Sequence, residues 1–439
     1  MKTIRPWCVL LSILVLFVSL CLPAFTVRHA AAAAGQVTIT LDIQVANPKG
    51  QDPATYHIVQ AFMKQNPTIT VNLIGEPTDT HSQKMQLAAQ AGTLPDIFWV
   101  LPAPALQLQQ AGDLLDLSNI FSSRGLSSRF EPNIINAFRN NGHQYGIPQQ
   151  LLVTGLWYNR ALFTKYGLRP PSSAPAATTF ADLEKDVRVF KQHGIITIAQ
   201  RAKDPFSVWA FLTMLARFGY FQKIAALKGH HASYNNPDFL HLYQDIAALR
   251  TLGAFPPNIV TNDYFQSVQM FLDGKAAMVD AGAWETARIQ SSPIANSVGF
   301  WWGPTFANGV GNQRVSMMVP TAPLVVSAAV KNDAAKYQAV AKFIDFYTSK
   351  QAAQIMIDYG LPPIIKGVRV VASHKSPVFA SVLAQVNAPG WTSAINQPDL
   401  VVSTQIGNAM YDSIYGVMDG IYTPVQALNK VDAAFQQSQ

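Results

Sequence analysis

The stretch Ala91-Gly92-Thr93-Leu94-Pro95-Asp96-Ile97-Phe98-Trp99-Val100 decides the fold prediction for this chain. The preceding residues, from Thr80 to Ala91, predict a helix, and Gly92 is the residue type that most often ends one. Ile97 to Val100 is short and fully apolar, which predicts a strand buried on both faces. The stretch therefore predicts a helix, a tight stop and an inner strand of a sheet covered by helices.

The flanking sequence repeats this alternation. Val37 to Ile43 and Ile69 to Ile74 predict strands, and Pro53 to Gln65 predicts the helix between them. Farther along, Thr179 is a predicted N-cap for a helix that precedes the strand Ile195 to Ala199. Strands that alternate with helices predict an α/β fold with mostly parallel sheets.

The composition argues against a nucleic-acid partner. Charged residues make up 13 % of the 439 residues, against about 25 % in an average soluble domain. The formal net charge is +7, but no two Lys or Arg residues are adjacent anywhere in the chain. Nucleic-acid-binding proteins concentrate basic residues on one face, so we predict a mildly basic, solvated surface instead.

The first 35 residues predict a secretory signal peptide. Lys2 and Arg5 precede an uncharged run from Pro6 to Val27, and Ala32-x-Ala34 supplies the small residues of a cleavage site. The uncharged run is also about as long as a membrane span, so an uncleaved anchor is the alternative. Both interpretations predict that the bulk of the chain is exported.

Both cysteines, Cys8 and Cys21, fall within this predicted signal segment. The rest of the chain therefore has no disulfide framework, thiolate nucleophile or cysteine-based metal site. Lipidation of Cys21 is a further way to tether the protein to a membrane, although Leu20 stands where a small residue is expected.

Five motifs follow one another across nearly the whole chain after residue 35. They are the opening stretch, Tyr145-Gly146-Ile147-Pro148 with Gly155-Leu156-Trp157-Tyr158-Asn159, Phe271-Leu272-Asp273-Gly274-Lys275 with Gly282-Ala283-Trp284, Ala341-Lys342-Phe343-Ile344, and Thr423-Pro424-Val425-Gln426-Ala427-Leu428. In this order they resemble the extracellular solute-binding proteins of ABC importers, in the sugar-binding branch known as family 1.

The resemblance implies a two-lobed periplasmic-binding-protein fold of type II. Each lobe would be a mostly parallel sheet flanked by helices, and several crossovers would form the hinge. The implied first lobe holds residues 36–148 and 322–368, and the second holds residues 149–321 and 369–439. The resemblance further implies a monomer without a cofactor, which captures a saccharide between its lobes by hinge closure and delivers it to an ABC permease in the membrane.

Four tryptophans are the aromatic candidates for the ligand site, with burial in the core as the alternative for each. An indole face packs well against the C–H groups of a sugar ring. Trp99 ends a predicted strand, and open α/β sheets bind ligands at the carboxyl ends of their strands. The resemblance places Trp284 in a cleft loop, and Trp391 lies in a Pro-Gly turn. Trp301 is followed by Trp302, and only one of two adjacent strand residues can face a cleft.

Four polar side chains complete the predicted site. Gln149 follows the predicted crossover between the lobes, where the resemblance implies a ligand contact. Asp204 matches an acidic cleft position of the maltose-binding type, with a helix N-cap as the alternative. Asn47 and Glu76 follow strands of the first lobe, where ligand contacts and ordinary loop residues both occur. Pro102-Ala103 stands where the maltose type has an acid and a base, which argues against maltose itself as the ligand.

Catalytic motifs are missing from the sequence. It has no G-x-S-x-G, H-E-x-x-H, P-loop or G-x-G-x-x-G motif. The cluster of His230, His231 and His241 is better explained as a solvated helix end than as a metal site. We therefore predict a binding protein rather than an enzyme. Two alternatives stay open: the same fold binding glycerol phosphate, a polyamine or a peptide, and a secreted carbohydrate-active enzyme with two carboxylates about 5–9.5 Å apart.

Overall fold

A computed structural model describes residues 35–174, 176–203, 208–257, 259–394 and 396–438. The predicted signal segment, with Cys8 and Cys21, lies outside these residues, and so does the candidate site residue Asp204.

The strands are numbered in chain order. They are β1 (Val37–Ile43), β2 (Ile69–Gly75), β3 (Ile97–Trp99), β4 (Arg139–Asn140), β5 (His143–Gln144), β6 (Gly146–Ile147), β7 (Leu151–Asn159), β8 (Ile196–Ala199), β9 (Ala276–Gly282), β10 (Val298–Trp301), β11 (Val315–Ser316), β12 (Met318–Pro320), β13 (Leu324–Val326) and β14 (Thr392–Ser393).

The α-helices are numbered in the same way. They are α1 (Pro48–Gln51), α2 (Pro53–Gln65), α3 (Thr78–Ala91), α4 (Pro102–Ala111), α5 (Ser118–Ser123), α6 (Pro132–Asn136), α7 (Arg160–Lys165), α8 (Phe180–Gln192), α9 (Trp209–Arg217), α10 (Tyr220–Lys228), α11 (Pro237–Leu252), α12 (Tyr264–Leu272), α13 (Thr286–Gln290), α14 (Ala334–Tyr347), α15 (Lys350–Asp358), α16 (Phe379–Val386), α17 (Thr404–Asp419) and α18 (Pro424–Gln437).

The first lobe is built on a sheet with the strand order β2-β1-β3-β13-β6. Strand β1 pairs in parallel with both β2 and β3, as the alternation of strands and helices predicts. Strand β13 pairs antiparallel with both β3 and β6, so this sheet is mixed rather than mostly parallel. The predicted strand at Val37–Ile43 and the predicted helix at Pro53–Gln65 are confirmed with the same bounds. The carboxyl ends of β1, β2 and β3 consequently meet at one edge of this sheet.

The second lobe is built on a sheet with the order β10-β7-β9-β8, to which β12 adds by pairing with β7. The prediction of a mostly parallel sheet is wrong here, because only β8 and β9 run in parallel. All seven residues of β9 are buried. A strand covered on both faces lacks the alternation of polar and apolar residues whichever way its neighbours run, so the sequence pattern does not indicate strand direction.

Helix ends follow the predicted local chemistry. Thr179 caps α8 in a reciprocal pair with Asp182: the Asp182 amide donates to Thr179 Oγ1 at 3.2 Å, and the Thr179 amide donates to Asp182 Oδ2 at 2.9 Å. Gly92 ends α3 with a φ of 68°, a conformation that a residue with a β-carbon rarely adopts.

The chain passes between the two sheets three times, near residues 150, 321 and 362, and these three segments lie side by side. The Thr321 amide donates to the Gln150 carbonyl at 3.2 Å, and the Leu151 amide donates to the Pro362 carbonyl at 3.3 Å. Gln149 adds a side-chain bond, from Nε2 to the Ala322 carbonyl, at 2.7 Å. The crossings are therefore hydrogen-bonded to one another, as in a multi-stranded hinge.

Asp186 of α8 is a buried carboxyl with a raised pKa. Burial, and then the charge of Asp182, raise the pKa of Asp186 to about 7. The folded protein thus holds this proton more tightly than the unfolded chain does, and stability falls as pH rises from about 4 to about 7. We expect Asp186→Asn to stabilise the protein by about 2 kcal/mol at pH 8, which is about half of what the pKa change alone implies because solvent screens part of the charge, and to leave stability at pH 4 unchanged. Urea unfolding at both pH values measures this, and an equal effect at the two would contradict it.

Among the described residues, no helix combines the length and the apolar character needed to cross a bilayer.

Candidate functional site

The carboxyl ends of the parallel strands β8 and β9 lie side by side in the second lobe. Strand β8 leads into Gln200 and Arg201, and β9 leads into a short 3-10 helix, Ala283–Glu285, that carries Trp284. Open α/β sheets bind ligands at this edge, because loops leave both strands there and can diverge around a guest molecule.

Three aromatic side chains gather at this edge, and we call them the aromatic platform: Trp209, Tyr264 and Trp284. The rings of Trp209 and Trp284 meet edge to face with centroids 5.0 Å apart, and Trp209 meets Tyr264 in the same way at 5.8 Å. Each of the three is only half-buried. Trp284 packs against the hydrophobic core of the first lobe as well as that of the second. It is therefore a contact between the lobes.

A chain of hydrogen bonds orients the platform. Trp284 Nε1 donates to the Tyr264 hydroxyl at 2.5 Å, and that hydroxyl donates to Glu285 Oε1 at 2.6 Å. Arg288 Nη1 completes the chain at 3.0 Å from Glu285 Oε2. Burial, and then the charge of Glu285, raise the pKa of Tyr264 well above its ordinary value, so the hydroxyl remains a donor.

The Arg201 guanidinium contacts two rings of the platform. Its guanidinium carbon lies 4.6 Å from the centre of the Tyr264 ring and 5.2 Å from that of Trp209, both within cation–π range. Nη1 donates to the Asp280 carbonyl at 2.6 Å. The side chain is fully buried, and within the described part of the chain its Nε and Nη2 atoms have no hydrogen-bond partner.

The Asp280 carboxyl group is fully buried next to Arg201. It accepts hydrogen bonds from the Ala210 amide, at the start of α9, at 3.0 and 3.1 Å. Burial raises the pKa of Asp280 to about 7, against the opposing effect of the Arg201 charge. Asp280 thus holds the first turn of α9, which carries Trp209, and places a carboxyl group near the Arg201 charge.

The corresponding edge of the first lobe carries a cluster of charged groups. Lys84 of α3 pairs with Glu76 and lies 3.3 Å from the buried Asp42 of β1. His81 is fully buried, with Nε2 3.3 Å from Asp42 Oδ1. Its ring meets that of Trp99 edge to face at 5.7 Å. Trp99 itself is 7 % exposed and belongs to the core of the first lobe.

A large cavity lies between the lobes, beside α13, and we call it the interlobe pocket. Its volume is about 730 Å³. The first lobe contributes residues of α1, α2 and α15 to its lining, and the second contributes residues of α12 and α13. Its polar and charged lining residues are Lys49, Gln269, Asp273, Arg288, Gln290, Ser291, Ser292, Asp358, Tyr359, Lys375 and Ser376. None of the predicted site residues that the structure describes lines it.

The predicted site residues are not gathered into one place. Trp284 is in the aromatic platform, and Glu76 and Trp99 are at the edge of the first lobe. Gln149 is in the hinge. Asn47 caps α1, accepting from the Gly50 amide at 3.2 Å.

The two remaining tryptophans lie in the second lobe, away from the platform. Trp301 is 1 % exposed and lies in the hydrophobic core, because its strand position faces the helix layer rather than a cleft. Trp391 donates from Nε1 to the Ser173 carbonyl at 2.8 Å, with the Arg217 guanidinium 5.6 Å from its ring centre. Both indoles are thus in contact with second-lobe groups.

Sequence reasoning missed Arg201, Trp209, Tyr264 and Glu285. Glu285 is the residue after the predicted Trp284, and Arg201 is the second residue after the predicted strand that ends at Ala199. Their positions just beyond the ends of strands were the signal that could have identified both. Trp209 and Tyr264 begin helices, where nothing local distinguishes a ligand-facing ring from a core ring.

The described residues contain no group of three or more His, Cys, Asp or Glu side chains that could hold a metal ion. The platform presents aromatic faces, with neighbouring rings inclined at 81°, next to polar groups that are held by hydrogen bonds. Aromatic side chains with a few fixed polar groups are typical of small-molecule sites in proteins.

Comparison with known proteins identifies the family. The sequence profile described as "Bacterial extracellular solute-binding protein" matches residues 47–354. The chain belongs to this family. A relative from Streptococcus mutans, the "Multiple sugar-binding protein", is 22 % identical over 339 residues, which cover 74 % of this chain and 76 % of the relative. The family is extracellular, so its members are exported, and they are binding proteins.

Solved structures of binding proteins share the two-lobed fold. A chitin oligosaccharide binding protein superposes with a TM-score of 0.78 at 22 % identity, covering 92 % of this chain and 98 % of that one. A maltose-bound protein, MalE3 from T. maritima, superposes with a TM-score of 0.72 at 18 % identity, covering 91 % and 99 %. This solute-binding protein therefore has the α/β two-lobed fold predicted from its sequence motifs.

Proposed function

We propose that this protein is the extracytoplasmic binding component of an ABC importer and captures a saccharide at the aromatic platform. The observation that carries the proposal is Trp284, a half-buried indole at the carboxyl edge of β9 that packs against both lobes. A sugar face stacked on this wall would place its hydroxyls beside Tyr264 and Glu285. Those hydroxyls need partners, because an unpaired buried hydroxyl costs about 1–3 kcal/mol.

The proposed mechanism is lobe closure without a covalent step. Residues 36–148 with 322–368 would move as the first lobe, and residues 149–321 with 369–439 as the second, about the three crossings of the hinge. A ligand that touches both lobes favours the closed arrangement by its differential affinity for it. The closed, loaded protein would then deliver the saccharide to its membrane permease.

Several properties complete the proposal. The protein acts as a monomer, without nucleic acid, outside the cytoplasm. Its predicted signal segment is cleaved, or else tethers the protein through the uncleaved apolar run or a lipidated Cys21. Of the residues predicted from the sequence, Trp284 is the proposed stacking residue. Glu76, Asn47 and Gln149 are proposed as first-lobe and hinge contacts to be tested, and so are Trp99 and Trp391 as aromatic contacts.

The saccharide proposal has a direct test in thermal unfolding. The protein is heated with xylo-oligosaccharides, chitin oligosaccharides, maltose and galactose in separate samples. We expect at least one of them to raise the Tm, because a ligand bound only to the native state stabilises it by about 2.7 kcal/mol at 100 times its Kd. A shift with polyamines or phosphodiesters and with no saccharide would overturn the proposal. Release of a shortened sugar would favour the carbohydrate-active enzyme instead.

A further inference from the structure

We propose that the first lobe carries a membrane-docking surface, on which Arg and Lys side chains bind the phosphate groups of anionic lipids. We call this surface the basic face, and its cations are Arg124, Arg129, Lys350, Lys366 and Arg369. The proposal goes beyond saccharide capture and depends only on the export of the protein, which its extracellular family establishes.

Tertiary packing collects these cations from segments that are far apart in the chain. The Lys366 amide donates to the Arg129 carbonyl at 2.7 Å, which joins the loop after α15 to the 3-10 helix Leu126–Arg129. A β-carbon at Gly367 would lie 3.9 Å from the Lys350 ammonium, so the start of α15 adjoins the same loop. The sequence spaces its Lys and Arg residues apart, and the fold brings several of them together on one surface.

Cations outnumber carboxylates on the basic face. Asp345 of α14 pairs with two of them, Arg124 Nη1 at 3.2 Å and Arg129 Nη2 at 2.5 Å. The remaining carboxylate of segments 124–131, 345–350 and 366–369 is Glu131. The three other cations of the face are exposed, and among the described residues no carboxylate lies within ion-pair distance of them. The face therefore has an excess of positive charge, and a surface rich in phosphate would balance it.

An exposed apolar side chain extends the basic face. Val368, Val370 and Ala372 pack against a hydrophobic core, whereas Arg369 and Val371 between them are exposed. Val371 is 47 % exposed. Cations beside an exposed aliphatic group suit the boundary between lipid headgroups and acyl chains, where the charge meets phosphate and the aliphatic group leaves water. This combination favours a membrane over a nucleic acid, which offers phosphates without an adjoining apolar phase.

The predicted signal segment leads into the fold at the same end of the first lobe. The Val37 amide, at the start of β1, donates to the Thr68 carbonyl at 2.9 Å. Three residues before Thr68, Gln65 donates from Nε2 to Gln351 Oε1 at 2.9 Å, and Gln351 directly follows Lys350. A tether through the residues before 36 would therefore attach at the end of the lobe that carries Lys350. A single lipid chain binds membranes only marginally, and a basic patch is the kind of second signal that makes such binding stable.

The basic face is also set apart from the interlobe pocket. Lys350 begins α15, and Asp358, which lines the pocket, ends that helix. Eight steps of helical rise separate the two residues by about 12 Å. Docking at the Lys350 end therefore needs no contact with the pocket.

The test is co-sedimentation of residues 36–439 with phospholipid vesicles. These residues form one compact unit that holds every strand and helix described above, so the chain is used without the predicted signal segment, which would itself bind lipid. We expect binding to vesicles made of equal parts of phosphatidylglycerol and phosphatidylcholine, and no binding to pure phosphatidylcholine, which carries no net charge. High salt should weaken the binding, because it screens exposed charges.

Two triple variants with the same change in net charge locate the binding surface. Lys350→Gln, Lys366→Gln and Arg369→Gln together should weaken binding about 100-fold, since each cation near an anionic membrane contributes about fivefold. The matched control combines Lys191→Gln, Lys228→Gln and Arg250→Gln, which are exposed in the last turns of second-lobe helices, and should change binding less than about twofold. All six side chains are exposed, and thermal unfolding confirms that both variants are folded.

Several results would overturn the proposal. They are an equal loss of binding in the two triple variants, equal binding to both kinds of vesicle, or no effect of salt. Inorganic phosphate that competes more strongly than sodium chloride at the same ionic strength would point to a site for free phosphate instead. Tighter binding to soluble polyphosphate than to vesicles would point to an anionic polymer. The saccharide proposal fails separately: neutral oligosaccharides would then give no Tm shift, whatever the vesicles do.

Discussion

Replacing Trp284 by Ala is expected to weaken saccharide binding about 30-fold or more and to abolish the ligand-induced rise in Tm. Large aromatic side chains at the centre of a binding surface contribute about 2 kcal/mol or more each when truncated, which corresponds to this factor. The Trp284 ring supplies the flat wall of the platform, and its N–H orients the Tyr264 hydroxyl at 2.5 Å. The alanine substitution removes both the ring face and the N–H group.

Two further variants separate loss of the ring from loss of the fold. Trp284→Phe keeps an aromatic face and loses only the N–H, so we expect it to retain most of the affinity. Gly282→Ala leaves the indole in the protein but displaces it, since a β-carbon at Gly282 would lie 2.1 Å from the Trp284 ring. The φ of −100° at Gly282 is open to alanine, so the backbone itself is not strained by the change.

The measurement is titration calorimetry with the best saccharide of the thermal screen, alongside the unfolding free energy of each variant. We expect Trp284→Ala and Gly282→Ala to lose binding, and Trp284→Phe to keep it, all with the protein folded. Unchanged affinity in Trp284→Ala would return this indole to a packing role and would move the ligand site elsewhere in the cleft.

Replacing Asp280 by Ala is expected to destabilise the protein by about 1–3 kcal/mol at pH 8. The carboxyl group is fully buried and accepts the Ala210 amide at the start of α9. Its removal would leave that buried amide without an acceptor, whereas the hydrogen bond from Arg201 to the main-chain carbonyl of residue 280 would remain.

Urea unfolding at pH 8 measures the free energy of unfolding of three variants. Asp280→Asn should be less destabilising than Asp280→Ala, because the side-chain carbonyl still accepts from Ala210. Asp273→Ala is the matched control: it removes an exposed aspartate at the end of α12 and should change stability by no more than about 0.5 kcal/mol. An Asp280→Ala protein as stable as that control would show that the start of α9 does not depend on this carboxyl group.

The first lobe was predictable from local patterns. Alternating and fully apolar runs located β1, β2 and β3, and Gly92 marked a helix end through its positive φ. In the second lobe, Thr179 marked the start of α8 in the same local way, through side-chain capping. These signals depend on residues close together in the chain, so an isolated sequence carries them. Strand direction in the second sheet was not predictable, because β7 and β9 are buried on both faces and show no alternation.

The ligand platform was predictable only in part. Trp284 was found through its motif and its strand-end position, but its partners come from distant parts of the chain: Arg201 follows β8, Trp209 begins α9 and Tyr264 begins α12. An exposed ring, a cleft ring and a core ring look alike in sequence, since all are large apolar residues on short amphipathic segments. Trp301 is an example: like Trp99 it ends a strand, yet its side chain is only 1 % exposed and lies in the core.

The alternation of strands and helices, the helix ends and the order of the family motifs are all visible in the amino-acid sequence. Local periodicity and capping act within a few residues, and therefore need no tertiary contact to be recognised. Tertiary packing was needed to show which tryptophan lies between the lobes, which side chains surround the buried Arg201, and where the interlobe pocket opens. Those properties arise when segments up to hundreds of residues apart pack together, and burial, pairing of charges and shape exist only after that packing.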